Sequence, residues 1–174
     1  MTERPTTAAV ILIGDEVLSG HTKDQNLGVI ADMLTEVGVH LREVRIVPDE
    51  CSEIVDAVNA LRTRYTYVLT TGGIGPTHDD VTADSIASAF GVGIDVDPRA
   101  RAMLLERLEP GKLNAARLRM ARIPFGADLI VSPMAKAPGF RMKNVFVMAG
   151  VPAIMMAMLE EVRPLLGKRR ATGA

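Results

Sequence analysis

The sequence predicts an α/β fold in which a mostly parallel sheet is covered by helices on both faces. Apolar runs of strand length alternate with helix-length amphipathic segments, the order that builds such a sheet. Glycine and proline punctuate the boundaries. A length of 174 residues with 48% hydrophobic content is enough for one domain, residues 1–174, with a buried core.

The first strand is the apolar run Ala8 to Ile13, followed by the polar loop GDEVLSGHTKD. Asn26 to Val37 then places Leu27, Ile30, Met33 and Val37 on one helical face, and Gly38 supplies the stop. Val39 to Val47 reads as a second strand whose alternation slips by one residue between Leu41 and Val44, the mark of a bulge. After Pro48 and Asp49, the stripe Ile54, Val55, Val58 and Leu61 defines a helix, and Tyr67 to Thr71 a third strand that ends in glycines. Thr82 to Phe90 is a short helix closed by Gly91, and Asp97 with Pro98 opens another through Leu108. Leu113 to Ile123 reads as a further amphipathic piece. Ala127 to Val131 and Val145 to Met148 are short strands on either side of a turn-rich segment, SPMAKAPGFRMKN. Pro152 starts a last helix to Leu166, in which Met155, Met156 and Met158 are expected as core filler. The basic tail GKRRATGA reads as a solvated end.

Composition removes several function classes. The 20 basic and 21 acidic residues nearly cancel, so no net field draws nucleic acid or an anionic membrane. Aromatics at 3%, with no Trp, deny the chain stacking platforms for single-stranded nucleic acid. A lone Cys51 forms neither an internal disulfide nor a cysteine-based zinc site, and as a small residue at a helix start it is expected to be packed. No apolar run approaches a membrane span, and the expected location is cytoplasmic.

The most informative stretch is TTGGIGPTHDDVTAD, Thr70 to Asp84, between a strand and a helix. Ligands of open α/β sheets bind outside the carboxyl ends of strands. Gly72, Gly73 and Gly75 let the backbone approach a ligand and turn through positive φ, so amide protons converge on phosphate oxygens. Asp79 and Asp80 would repel a phosphate unless a divalent cation reverses the sign. Asp80 is therefore a candidate Mg²⁺ ligand, with Thr77 or Thr82 adding a hydroxyl, and it is equally placed to cap the next helix. The loop lacks the Gly-Lys-Ser/Thr end of a P-loop, and His78 stands where a dinucleotide fingerprint needs its third glycine. The three histidines lack metal-ligand spacing, and no GxSxG elbow occurs. Two more loops follow strands at the same edge. Gly14, Asp15 and Glu16 bring carboxylates, and Asp49 reads by itself as a helix cap.

With IGDEVLSG, VPDE, APGF and AGVP in this order around GGIGPTHDD, the chain resembles the molybdenum-cofactor-biosynthesis, or molybdopterin-binding, domain family over about Ala8 to Val162. GDEVLSG followed by Asn26, and Asp79 where MoaB and Mog proteins carry Arg, make it most similar to the N-terminal domain of CinA proteins. The resemblance implies a three-layer α/β/α sandwich. It also implies that Asp49 and Asp80 are the acids associated with the metal and the reaction, and that Thr71 to Thr77, including Ile74 and Pro76, form the phosphate loop. Pro138, Gly139 and Phe140 match the pterin-side loop, and Gly150, Val151 and Pro152 belong to the AGVP segment. Trimers or hexamers are implied as well. The chain departs from the CinA pattern at Ala149, which replaces a proline, and at Ile154, which replaces an acid. Ser132, Ala135 and Lys136 replace Asn, Gly and Thr before APGF.

The expectation is a protein that binds a phosphorylated pterin, molybdopterin included, or an adenine-nucleotide diphosphate. Mg²⁺ or another divalent metal at Asp49 and Asp80 would support chemistry at phosphorus, of the ADP-ribose pyrophosphatase or molybdopterin adenylyltransferase type. The contrasting expectation is a non-catalytic binding module, favoured by Ile154.

Overall fold

The first strand, β1 (Thr7–Ile13), divides its side chains between two cores in the computed structural model, which describes residues 4–167. Ala8, Val10 and Leu12 point into one and Ala9, Ile11 and Ile13 into the other, all nearly inaccessible to water. A strand buried on both faces must have helices on both sides. One core is closed by α2 (Asn26–Glu36) and α7 (Pro152–Val162), through Ile30, Leu34, Met155 and Leu159. The other is closed by α3 (Cys51–Arg62) and α4 (Thr82–Phe90), through Ile54, Val58, Leu61 and Ile86. The result is the three-layer α/β/α sandwich. Gly38 and Gly91 stop their helices with φ of 77° and 65°.

The six-stranded sheet has the order β2-β1-β3-β8-β7-β6, where β2 is His40–Val47, β3 Tyr67–Thr71, β6 Asp128–Ile130, β7 Gly139–Met142 and β8 Val145–Met148. The pairs β1/β2, β1/β3 and β3/β8 are parallel; β7 runs antiparallel to both its neighbours. From β1 the chain moves outward to β2 and then returns past β1 to β3, which puts a topological switch point between β1 and β3. The ends of β1, β2, β3 and β8 all open on this edge.

The bulge in β2 is present: Ala8 pairs with Leu41 and Ala9 with Glu43, so Arg42 is the extra residue. It does not turn Val44 and Ile46 inward, however, and both are exposed, at 37% and 45%. Several elements differ from expectation: the polar loop after β1 contains the short helix α1 (Asp15–Leu18), and the last helix ends at Val162 and gives way to a 3-10 turn, Arg163–Leu165. The turn-rich segment contains β7, because the chain after Pro138 pairs at once with β8. The piece over 113–123 is not one helix. It breaks into α6 (Ala115–Leu118), capped by Asn114, a 3-10 turn Arg119–Ala121, and β5 (Arg122–Pro124), which forms a two-stranded ribbon with β4 (Ile94–Val96). Between β4 and α6 lies α5 (Pro98–Arg107), its N-terminus capped by Asp97, whose carboxylate accepts from the Arg99 amide at 2.8 Å. Cys51 is exposed at the first turn of α3 rather than packed, and Met156 is 48% exposed while Met155 and Met158 are core. The basic tail, residues 168–174, lies outside the described residues. No helix among the described residues is long and apolar enough to cross a membrane.

Candidate functional site

Parallel pairing brings four strand-end loops together at one edge. The Gly14 amide donates to the Val47 carbonyl at 3.0 Å and the Gly72 amide to the Met148 carbonyl at 3.1 Å. Gly14, Asp49, Gly72 and Gly150 therefore share one edge of the sheet. Gly72, at φ 98°, lies so close to β1 that a Cβ would collide with the Ile13 carbonyl, and Gly150 packs against its Cα. Gly73, at φ 74°, leaves room only for the Thr82 hydroxyl. Gly75 does not adopt positive φ, and a Cβ there would stand 2.8 Å from Oδ2 of Asp80, so a side chain would displace that carboxylate.

Asp80 does not cap α4, whose N-cap is Val81. Its Oδ2 accepts from both the amide and the hydroxyl of Thr77, each at 2.8 Å, and so closes the loop on itself. Thr82 is buried and donates to the Gly72 carbonyl at 3.0 Å, bracing the glycines from beneath. Thr71 is buried at the end of β3. Asp79 is solvent-exposed beside His78, at 3.4 Å.

Asp49 does not cap α3 either, since Glu50 is the N-cap. Its Oδ2 accepts from the Asp15 amide at 3.2 Å, while its own amide donates to Oδ1 of Asp15 at 3.0 Å. Partial burial pushes the Asp49 carboxyl above its ordinary range, and the negative charges of Asp15, Glu16 and Asp80 add to that rise, against the hydrogen bond from Asp15. Asp49 thus feels the charge of three other carboxylates around the strand ends. Among the described residues no three His, Cys, Asp or Glu side chains form a ready-made metal cage. Mg²⁺ does not need one, because it binds through one or two carboxylates and keeps water or phosphate oxygens for the rest. The all-oxygen donor set and its uncompensated negative charge fit such an ion at Asp49 and Asp80.

Beside the loop is an open cleft of about 650 Å³. Gly72 to Pro76, with Ile74, and the Asp80 side chain form one wall, Glu16 and Thr22 a second, and residues 134–138 a third. Ala149, Gly150, Val151 and Pro152 close it, over an apolar surface of Met120, Ile154 and Met158. Its size and its mixture of aliphatic surface and few polar groups suit a small organic ligand. Asp49, Asp15, Thr77 and Asp79 lie outside the lining. Pro138 is on the wall, whereas Gly139 and Phe140 are core: a Cβ on Gly139 would strike the Val147 carbonyl, and Phe140 is 1% exposed. Lys136, Met120, Met134 and Thr22 line the cleft without having been singled out as site residues. Lys136 was visible only as a departure before APGF, Met134 and Thr22 only by nearness to the APGF and GDEVLSG segments, and Met120 carries no sequence signal.

The family described as "probable molybdopterin binding domain" matches residues 9–168. A protein of Thermococcus kodakarensis is 39% identical over 182 residues, covering 94% of this chain and 71% of its own length. A CinA-like protein of Citrifermentans bemidjiense is also 39% identical, over 176 residues; these cover 95% of this chain but only 42% of that protein. Among solved structures, the CinA protein of Thermoplasma acidophilum superposes with a TM-score of 0.86 at 32% identity, covering 92% of this chain and 97% of the other. The molybdopterin biosynthesis enzyme MoaB of Thermus thermophilus shares the fold, with a TM-score of 0.61 at 17% identity over 92% of this chain and 91% of its own.

Proposed function

The chain belongs to the molybdopterin-binding domain family, and from that premise we propose that its cleft binds a phosphorylated pterin or an adenine-nucleotide diphosphate and supports Mg²⁺-dependent chemistry at phosphorus. The observation that carries this reading is a glycine loop closed by Asp80 at the switch point of the sheet, beside a cleft of about 650 Å³, with Asp49 at the same sheet edge and within reach of the Asp80 charge. A glycine loop alone offers amides to any anion. Acids beside it make sense for a phosphate only if a cation joins them.

In this reading the Gly72 to Gly75 backbone holds phosphoryl oxygens, and the aliphatic surface of Met120, Ile154 and Met158 takes the ring system. Asp80, fixed by Thr77, and Asp49, fixed by Asp15, hold the divalent ion. Bound there, Mg²⁺ would neutralise the phosphoryl oxygens. A carboxylate at this edge would orient the attacking water. With ADP-ribose, that water would add to one phosphorus while the bridging P–O bond breaks, giving AMP and ribose 5-phosphate.

Ile154 favours a second reading. It lines the cleft where the CinA pattern has an acid, and a chain lacking that acid would hold its ligand intact as a non-catalytic pterin- or nucleotide-binding module. Purified protein incubated with ADP-ribose and a series of divalent metals, with AMP release followed and molybdopterin binding measured in parallel, separates the two. Metal-dependent AMP release supports the enzyme. Tight pterin binding with no cleavage supports the module, and neither signal removes both.

A further inference from the structure

The cleft has a charge pattern that the glycine loop alone does not explain. Glu16 and Asp80 line it, and both are acidic; Lys136 is the only Lys or Arg in the same lining. Among the described residues Lys136 makes no ion pair, in contrast to the nearby Arg122, which is paired with Asp84 at 2.9 Å. The loop that carries Lys136 is built, not loose. The Arg107 guanidinium, from α5, donates to the Ser132 carbonyl at 2.6 Å and also to the Ala135 carbonyl. The Ala135 amide donates to the Ser132 carbonyl at 3.2 Å, and Ser132, Ala135 and Pro138 are buried on either side of the exposed lysine.

We propose that Lys136 determines specificity in this cleft by binding an anionic phosphate group of the ligand, so that the cleft selects polyanionic over neutral ligands. The proposal rests on the reading of the cleft as the ligand site and names the group that its third wall recognises. A P-loop carries its lysine within the glycine loop; here that loop has none, and the cation arrives from the segment before β7. A lysine ammonium on a flexible stem is a compact point charge with three donors, well matched to a phosphate oxygen. Neither acid of the lining, Glu16 or Asp80, is within ion-pair distance of Lys136, so its charge stays available to a ligand phosphate.

Calorimetry on the wild type, Lys136→Ala and Lys136→Arg, in Mg²⁺ buffer, with ADP-ribose, molybdopterin, inorganic pyrophosphate and adenosine as probes, tests it. A lost hydrogen bond to a charged group weakens binding by about tenfold or more. Lys136→Ala is expected to lose about tenfold for ADP-ribose and pyrophosphate with adenosine unchanged, and Lys136→Arg to keep most of the affinity. If turnover is present, KM rises and kcat holds. Equal affinities in wild type and Lys136→Ala overturn the proposal, as does an equal loss for adenosine, which would mean damage to the cleft. Lys136-dependent pyrophosphate binding without binding of ADP-ribose or molybdopterin would retain this inference and remove the functional reading. ADP-ribose binding indifferent to residue 136 would do the reverse, and a wild type that binds none of the probes removes both.

Discussion

Asp15 and Asp49 hold each other's loops by reciprocal hydrogen bonds, the amide of each donating to the carboxylate of the other at 3.2 and 3.0 Å. The pair ties the end of β1 to the end of β2 and brings two negative charges together where solvent is only partly excluded. Each carboxylate spends one oxygen on the partner's backbone and keeps the other. Those remaining oxygens are the ones the proposed cation would use.

The pH dependence follows from the raised Asp49 carboxyl. Its folded value lies above an unfolded value near 3.8, so between the two the native state binds more protons and stability falls as pH rises. Above the folded value the full penalty remains. Asp49→Asn, which keeps an acceptor for the Asp15 amide, should therefore melt at or above the wild-type temperature at neutral pH without metal, with the difference closing below about pH 4. Mg²⁺ should raise the melting temperature of the wild type and leave the variant unmoved. A variant that melts lower at pH 7 contradicts the assignment.

Asp80 combines a structural and an electrostatic role that two substitutions separate. Asp80→Asn can still accept from the Thr77 amide, so it should fold normally and lose metal-dependent ligand binding. Asp80→Ala loses both Thr77 bonds as well and should cost about 1–2 kcal/mol of stability by denaturant titration. Equal stability and equal metal dependence in both variants would contradict this reading.

Gly72→Ala should be among the most damaging substitutions in the chain. The new Cβ meets the Ile13 carbonyl, which is fixed in the sheet, at a backbone φ of 98°. Strain of this kind costs about 1–3 kcal/mol from φ alone, and the collision adds to it. Thermal and denaturant unfolding should both report the loss; an unshifted melting temperature would show that the loop is not held as described.

Much of the fold was legible because burial on both faces writes continuous apolar runs: residues 8–13, 67–71 and 145–148 are strands with nearly the expected limits. Helix limits followed from apolar stripes and from Gly38 and Gly91. The ribbon of β4 and β5 was hidden because three residues carry no period, and β7 because the turn signals of Pro138 and Gly139 outweigh a four-residue strand. At the site, the glycine loop and Asp80 were visible from residue types alone. The roles of Asp15 toward Asp49, of Thr82 beneath the glycines, and of Met120 and Lys136 on the cleft wall depend on distant segments meeting, which local pattern does not encode.

Asn26 is another such residue. Buried at the start of α2, its Nδ2 donates to the Gly150 carbonyl at 2.9 Å, across 124 residues of chain. Asn26→Asp replaces this donor with an acceptor and buries a charge, so it should destabilise more than Asn26→Ala at pH 7 and recover part of the loss in acid. The same ranking is expected for ligand affinity, since Gly150 lines the cleft. An Asn26→Asp protein as stable as wild type at pH 7 contradicts the bond's importance.

The central claim is that the glycine loop and the acids around it bind a phosphorylated ligand together with a divalent ion. Calorimetric titration of the wild-type protein with ADP-ribose, with Mg²⁺ and with Mg²⁺ removed by chelation, tests it most directly. Saturable binding is expected to weaken at least about tenfold when the ion is removed, the scale of one lost charge-assisted contact, with Asp80→Asn insensitive to the ion. Binding of equal strength with and without Mg²⁺ would contradict it.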